Sequence, residues 1–221
     1  AHDEAGRLGH DELIGQAALI FGAAHLTTAH SLTWGLFLLA QHPSVMARVD
    51  RELRTVLDGG FPTLEQLDRL VACERAIKES MRVLPASAYS QRMSAAPTPL
   101  GPFTLPVGAG VIFSQFITHH RPDLFPDPEA YLPDRWAHIA PSPYAYLPFG
   151  AGPRMCLGGP LAMTILKTVI PTILQRFQLT IVPQTRVDGQ VISTMLCPTS
   201  GLRVRLDEPR GRFTAQPVTG N

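Results

Sequence analysis

Cysteine is scarce in this chain: three residues in 221, at positions 73, 156 and 197, with no Cys-x-x-Cys pair. So few and so scattered, they exclude a disulfide framework or a Cys-rich zinc module and fit a reducing compartment. An excess of charge is also missing. Lys and Arg total 19 against 18 Asp and Glu, a net charge of +1, which argues against electrostatic binding of nucleic acid. Long apolar runs are absent too. The segment Leu26 to Ala40 is broken by Thr27, Thr28, His30, Ser31 and Thr33, falls short of a membrane span and reads as a buried core helix. The polar start Ala1-His2-Asp3-Glu4-Ala5 carries no basic-then-apolar leader. Lysine occurs only at 78 and 167, beside 17 arginines and abundant Ala, Pro and Gly, which suggests a GC-rich genome and a bacterial source. What is present suffices for one globular unit, since 45% of the residues are hydrophobic and nothing in the composition signals disorder.

The chain reads as helical first and irregular later. An apolar helical stretch runs from about Glu12 to Gln41. Pro43, tolerated in a first turn, opens a second helix through Leu57, which Asp58-Gly59-Gly60 ends. Thr63 followed three residues later by Gln66 is a capping-box start for a short helix. Another helix spans about Val71 to Val83 and stops before Pro85. From Tyr89 to Ile117, alternating and β-branched residues with turns at Gly101-Pro102 and Gly108 predict short strands. Adjacent residues on a strand face opposite sides, so His119 and His120 are expected not to chelate one ion and stay unassigned. The Pro-rich reach from Arg121 to Pro148 is expected to be neither helix nor central strand, and to have an ordered function. A helix over about Leu157 to Phe177 follows. Two strands, Gln178 to Val182 and Leu202 to Leu206, are expected to pair as a hairpin, and the tail from Asp207 to fray.

The most informative stretch is Phe149-Gly150-Ala151-Gly152-Pro153-Arg154-Met155-Cys156-Leu157-Gly158. It sets one thiol on a glycine-rich loop just before a helix. Gly150, Gly152 and Gly158 allow backbone amides close to a sulfur, a helix start favours its thiolate, and Arg154 adds positive charge. Taken alone, Cys156 reads either as a small buried hydrophobe or as a soft-metal ligand. The longer pattern, Phe-x-x-Gly-x-Arg-x-Cys-x-Gly continued by Gly159-Pro160-Leu161-Ala162, resembles the haem-ligating loop of the cytochrome P450 family at every fixed position.

Three further motifs of that family have counterparts upstream. Glu79-Ser80-Met81-Arg82 resembles its Glu-x-x-Arg helix motif; at a spacing of three the two side chains share a helix face and can pair. Pro133-Asp134-Arg135-Trp136 resembles the segment whose Arg completes a triad with them, so Glu79, Arg82 and Arg135 are implied to have a structural role, locking the segment that holds the Cys loop. Ala23-Ala24-His25-Leu26-Thr27-Thr28 resembles the oxygen-binding helix motif, with Thr27 where the family places a hydroxyl near bound dioxygen. There the chain departs twice, with Leu26 where the family carries an acid for proton delivery and Ala24 where it carries Gly. His25 points about a hundred degrees from that position on a helix and reads as satisfied or solvent-facing. By resemblance Arg92 and Arg154 match positions that meet haem propionates, with a surface arginine the equal alternative for Arg92.

The resemblance implies the C-terminal half of the cytochrome P450 fold, mainly α with small β-sheets (α+β), as one partial domain over 1–221. It implies haem bound through Cys156 with Phe149, Gly150 and Gly158 around it. The implied reaction inserts one oxygen atom of O2 into an apolar small-molecule substrate, with electrons from a separate ferredoxin or flavoprotein reductase. The alternatives are a peroxide-using haem-thiolate enzyme, suggested by Leu26, and a non-catalytic haem-binding remnant. Family members are about twice this length, so the N-terminal half, with most of the substrate pocket, is expected to be missing and apolar surface exposed. A bacterial cytoplasmic location is expected, although with that half absent the polar start says nothing about a membrane anchor.

Overall fold

The computed structural model describes residues 2–3, 6–199 and 201–220. Helix α1 (His10–Gln41) runs 32 residues, about 48 Å at the α-helical rise. Glu12 closes its start by accepting the Gly9 amide at 2.8 Å. Its two halves meet different surroundings. Every residue from Gly9 to Leu26 is exposed, including Leu19, Ile20 and Phe21, whereas Trp34, Leu38, Leu39 and Ala40 are buried. The chain presents 13351 Å² of accessible surface, against about 10,000 Å² for a compact protein of its mass. The free half of α1 is one source of that excess, in keeping with the exposed apolar surface expected from the sequence.

The buried half of α1 packs with α2 (Pro43–Leu57), α4 (Val71–Val83) and α6 (Gly159–Arg176) around Val49, Leu53, Leu70, Cys73, Ile77, Leu166 and Ile170. Gly35 is buried where α1 meets α6, and a Cβ there would lie in ordinary contact with Ile170 at 3.5 Å. Thr63 and Gln66 form the expected reciprocal cap on α3 (Leu64–Leu67). Helix α4 has no capping side chain of its own. Glu52 of α2 takes that role, accepting the Ala72 and Cys73 amides at 2.7 and 2.9 Å, where helix-end donors and dipole both favour a carboxylate.

The sheets are two-stranded. Ser90–Met93 pairs with Gly110–Phe113, and Thr98–Leu100 with Phe103–Leu105. Four expectations need correction. The strand region ends at Phe113, because Ser114 caps a short helix, α5 (Gln115–His119), so His119 and His120 lie at a helix end rather than on a strand. The Pro-rich reach contains a 3-10 turn, Pro133–Ala137, which proline can open because the missing N–H has no partner there anyway. Gln178–Ile181 does pair antiparallel with Val204–Asp207, but a second hairpin, Gly189–Ile192 with Met195–Pro198, lies between them and carries Leu196 to Trp34. The tail does not fray throughout: Val218–Thr219 pairs with Thr185–Arg186, and Gln216 and Gln41 exchange two hydrogen bonds. Of the polar start, Ala1, Glu4 and Ala5 lie outside the described residues, while His2–Asp3 pairs with Gly6–Arg7. No helix among the described residues is long and apolar enough to cross a membrane.

Candidate functional site

The loop that carries Cys156 is closed by its own backbone. The Gly150 amide donates to Leu147 O at 3.1 Å, and the Cys156 amide to Phe149 O at 2.8 Å. Gly150 and Gly152 sit at φ 72° and 71°, where a side chain would be strained. A 3-10 turn, Gly152–Arg154, brings the chain round to α6, whose first turn holds Pro160. Phe149 folds beneath this start, its ring 3.4 Å from where a Gly159 Cβ would be, and Gly158 lies beside the Cys156 sulfur. All residues from Gly152 to Gly158 are exposed, Leu157 to 97%, and Cys156 is a free thiol. No backbone amide donates to that sulfur among the described residues. The other two cysteines are buried, and burial pushes the Cys73 thiol up to about 12.

Glu79, Arg82 and Arg135 converge. Glu79 and Arg82 are wholly buried on α4. Glu79 Oε1 accepts from Arg82 Nη2 (2.9 Å), Arg135 Nε (2.9 Å) and the Leu132 amide (3.0 Å), and Oε2 accepts from Arg82 Nε (3.1 Å) and Trp136 Nε1 (2.9 Å). Arg82 uses all five of its N–H donors, the remaining three on the carbonyls of His119, Pro128 and Ala130. Arg135 adds bonds to the Pro126 and Asp127 carbonyls. One carboxylate and two guanidinium forks thus hold the backbone of 126–132 in place and replace the water each charge gives up on burial. Trp136 and Leu132 belong to this cluster although the triad expected from the sequence did not include them. Trp136 stands directly after Arg135, a position from which its indole N–H could have been suspected.

Thr27 is half-buried on α1 and its hydroxyl donates to Ala23 O at 2.9 Å, so it satisfies a carbonyl one turn back within a continuous helix. Leu26 is 45% exposed, and His25 is exposed with its ring stacked on Phe21. Arg92 is exposed, donating to Gln91 O and lying over the Phe113 ring. Arg154 is exposed on the loop itself. Among the described residues no hydrogen bond or ion pair joins Thr27 or Arg92 to the Cys loop.

A cavity of about 480 Å³ lies behind the loop, lined by Phe149, Tyr146, Met163, Glu74, Lys78 and Lys167 among others. Both lysines of the chain bond the Glu74 carboxylate there, at 2.7 and 2.8 Å. The sequence reading missed this cluster because its members come from α4 and α6.

Comparison with known proteins bears on this arrangement of loop, helix and triad. The chain is 39% identical over 188 residues to cyclooctat-9-en-7-ol 5-monooxygenase of Streptomyces melanosporofaciens, which covers 83% of this chain and 41% of that protein. It is 32% identical to pentalenene oxygenase of Streptomyces avermitilis, over 92% of this chain and 46% of the relative. The chain therefore spans less than half the length of these curated relatives. A solved structure described as retinoic acid bound cyanobacterial CYP120A1 superposes with a TM-score of 0.86 at 30% identity, covering 95% of this chain and 49% of that one. The Cytochrome P450 family profile matches residues 1–205, through the exposed helix, the triad and the Cys loop into the strand Val204–Asp207, and on that span the chain belongs to the cytochrome P450 family.

Proposed function

We propose that residues 1–221 are the C-terminal, cofactor-holding part of a haem-thiolate monooxygenase. The observation that carries this reading is the Cys156 thiol, free and exposed at the head of α6 on a loop its own amide closes. The residues present fit haem. A soft sulfur donor stands between Met155 and Leu157, exposed to 61% and 97%, so apolar surface is left for a flat apolar ring system. In this reading Cys156 is the ligand, Phe149, Gly150 and Gly158 shape the loop around it, and Arg154 and Arg92 hold the two carboxylates of the group. Bound there, haem supplies the oxygen and redox chemistry, with the thiolate favouring O–O cleavage. Glu79, Arg82 and Arg135 keep the backbone of 126–132 in place, and Thr27, whose hydroxyl donates to Ala23 O and is left with acceptor capacity, would by resemblance stand near bound dioxygen.

The proposed reaction inserts one oxygen atom of O2 into an apolar substrate and reduces the other to water, with electrons from a separate ferredoxin or flavoprotein reductase. The Streptomyces relatives, named for pentalenene and cyclooctat-9-en-7-ol, support a terpenoid substrate and a bacterial source. The exposed half of α1 supports a need for the complementary half of the fold to complete the substrate pocket. Leu26 favours a second reading, because a leucine cannot relay a proton and peroxide already brings the protons and electrons that the O2 route must deliver. To test both, haem is titrated into the 221-residue chain, and turnover with peroxide is compared with turnover with a reductase after the complementary half of a relative is supplied. Reductase-driven turnover supports the monooxygenase, peroxide-only turnover supports the second reading, and no haem uptake with either preparation refutes both.

A further inference from the structure

Among the described residues no hydrogen bond runs directly from the triad to the Cys loop, and the buried side chain of His119 bridges the two. His119 ends α5 and is wholly buried. Its carbonyl accepts Arg82 Nη1 at 2.9 Å, so its backbone belongs to the triad's network. Its ring lies against Phe125 and Tyr146, centroids 6.2 and 5.4 Å away. Its Nε2 accepts the Leu147 amide at 2.8 Å. Because an amide N–H can only donate, Nε2 is bare and the proton sits on Nδ1, which is buried with no partner among the described residues. A buried donor left unmade costs stability, so the ring is held by what Nε2 and its stacking contacts supply.

From Leu147 the connection continues into the loop. Leu147 O accepts the Gly150 amide, and Phe149 O accepts the Cys156 amide. Tyr146, one residue earlier, is tied to α4 through its hydroxyl, which donates to Lys78 O at 2.9 Å. The segment entering the Cys loop therefore has two side-chain anchors, Tyr146 and the His119 ring; Tyr146 reaches the cluster through ring packing on Trp136, centroids 4.5 Å apart, and His119 is the one that holds a backbone amide of the segment by a hydrogen bond.

We propose that His119 is a positioning residue for Cys156: its Nε2 fixes the Leu147 amide and thereby the place of the thiol relative to the Glu79, Arg82 and Arg135 cluster. Its consequence for catalysis rests on reading Cys156 as the haem ligand; the positioning itself does not.

The test uses three variants of the 221-residue chain. His119→Gln can return a carbonyl oxygen to the Nε2 position, His119→Asn carries the same group too short to reach, and His119→Phe keeps the ring volume without an acceptor. Amide hydrogen exchange at Leu147, Gly150 and Cys156 is the first readout, and the rate of Cys156 alkylation by a maleimide is the second. The expected result is exchange about five- to tenfold faster in the Asn and Phe variants, near the original rate in the Gln variant, with thiol reactivity following the same order. A purely space-filling role would instead leave Phe closest to the original chain, and that ranking overturns the proposal. Equal exchange in the Gln and Asn variants overturns it too, and that comparison decides the matter if the Phe variant does not fold. Haem uptake is measured separately. If the chain takes no haem but the variants still divide as expected, the haem reading fails and the positioning stands. If haem binds through Cys156 and the variants do not divide, the reverse holds.

Discussion

Replacing Glu79 with Gln removes one charge from a carboxylate that is fully buried and accepts five hydrogen bonds, two of them from the guanidinium of Arg82. The amide has nearly the same shape, so packing is preserved and the loss is electrostatic. If its nitrogen takes the place of Oε2, Arg82 Nε and Trp136 Nε1 face another donor, and each orphaned donor costs about 1–3 kcal/mol. The buried Arg82 also loses its counter-charge, a change worth about 3–5 kcal/mol where one partner of a buried pair is removed. These costs overlap, and together they predict a loss of about 4–6 kcal/mol from a chain whose whole stability is on the order of 5–15 kcal/mol. Urea unfolding followed by tryptophan fluorescence measures it directly, with Trp136 reporting on the cluster and Trp34 on the core. Asp134→Asn is the control. It breaks the exposed Arg48–Asp134 pair, which should be worth less than about 1 kcal/mol. If Glu79→Gln costs no more than Asp134→Asn, this cluster does not hold the backbone of 126–132.

Other expectations follow from the same geometry. In the native chain a thiol reagent should titrate one cysteine rapidly, Cys156, and the other two only on unfolding; early reaction of Cys73 would contradict its burial and raised pKa. Glu52→Gln should cost about 1–2 kcal/mol in urea unfolding by weakening the cap on α4, and an unchanged midpoint would show that the cap contributes nothing. His119 has its pKa lowered to about 4, first by burial and then by Arg82, with a smaller contribution from His120, and the Tyr146 ring lies against it. Since the unfolded histidine titrates near 6.5, the unfolded chain takes up the proton first. This contribution is complete above that pH and is lost as pH falls towards 4, by about 3 kcal/mol in all. Urea midpoints at pH 7, 6 and 5 should thus fall more steeply for the original chain than for His119→Gln, and parallel lines would refute the assignment. In the chain joined to the complementary half, Leu26→Glu should raise reductase-driven turnover relative to peroxide-driven turnover; an unchanged ratio would remove position 26 from proton delivery.

Much of this arrangement was legible in the residues because it is local. Pro43 and the Asp58-Gly59-Gly60 stop bound α2, Thr63 and Gln66 cap α3, and Glu79 and Arg82 share a face of α4 by spacing alone. What stayed hidden depends on approaches between distant segments. Glu52 caps a helix twenty residues away, Trp136 turns its indole towards Glu79, and the Gln41–Gln216 exchange ties down a tail that reads as free. His119 was hidden for a different reason. Ser114 starts a helix inside a stretch of β-branched residues, and that local cap outweighs the strand preference around it.

The central claim is that Cys156 is a thiolate ligand held out on a prepared loop. The reduced, carbon-monoxide-bound absorption spectrum of the haem-reconstituted chain, recorded beside Cys156→Ala, tests it most directly. The account predicts a strongly red-shifted Soret band that disappears in the variant. An unshifted band, or a shifted one that survives the loss of Cys156, would contradict it.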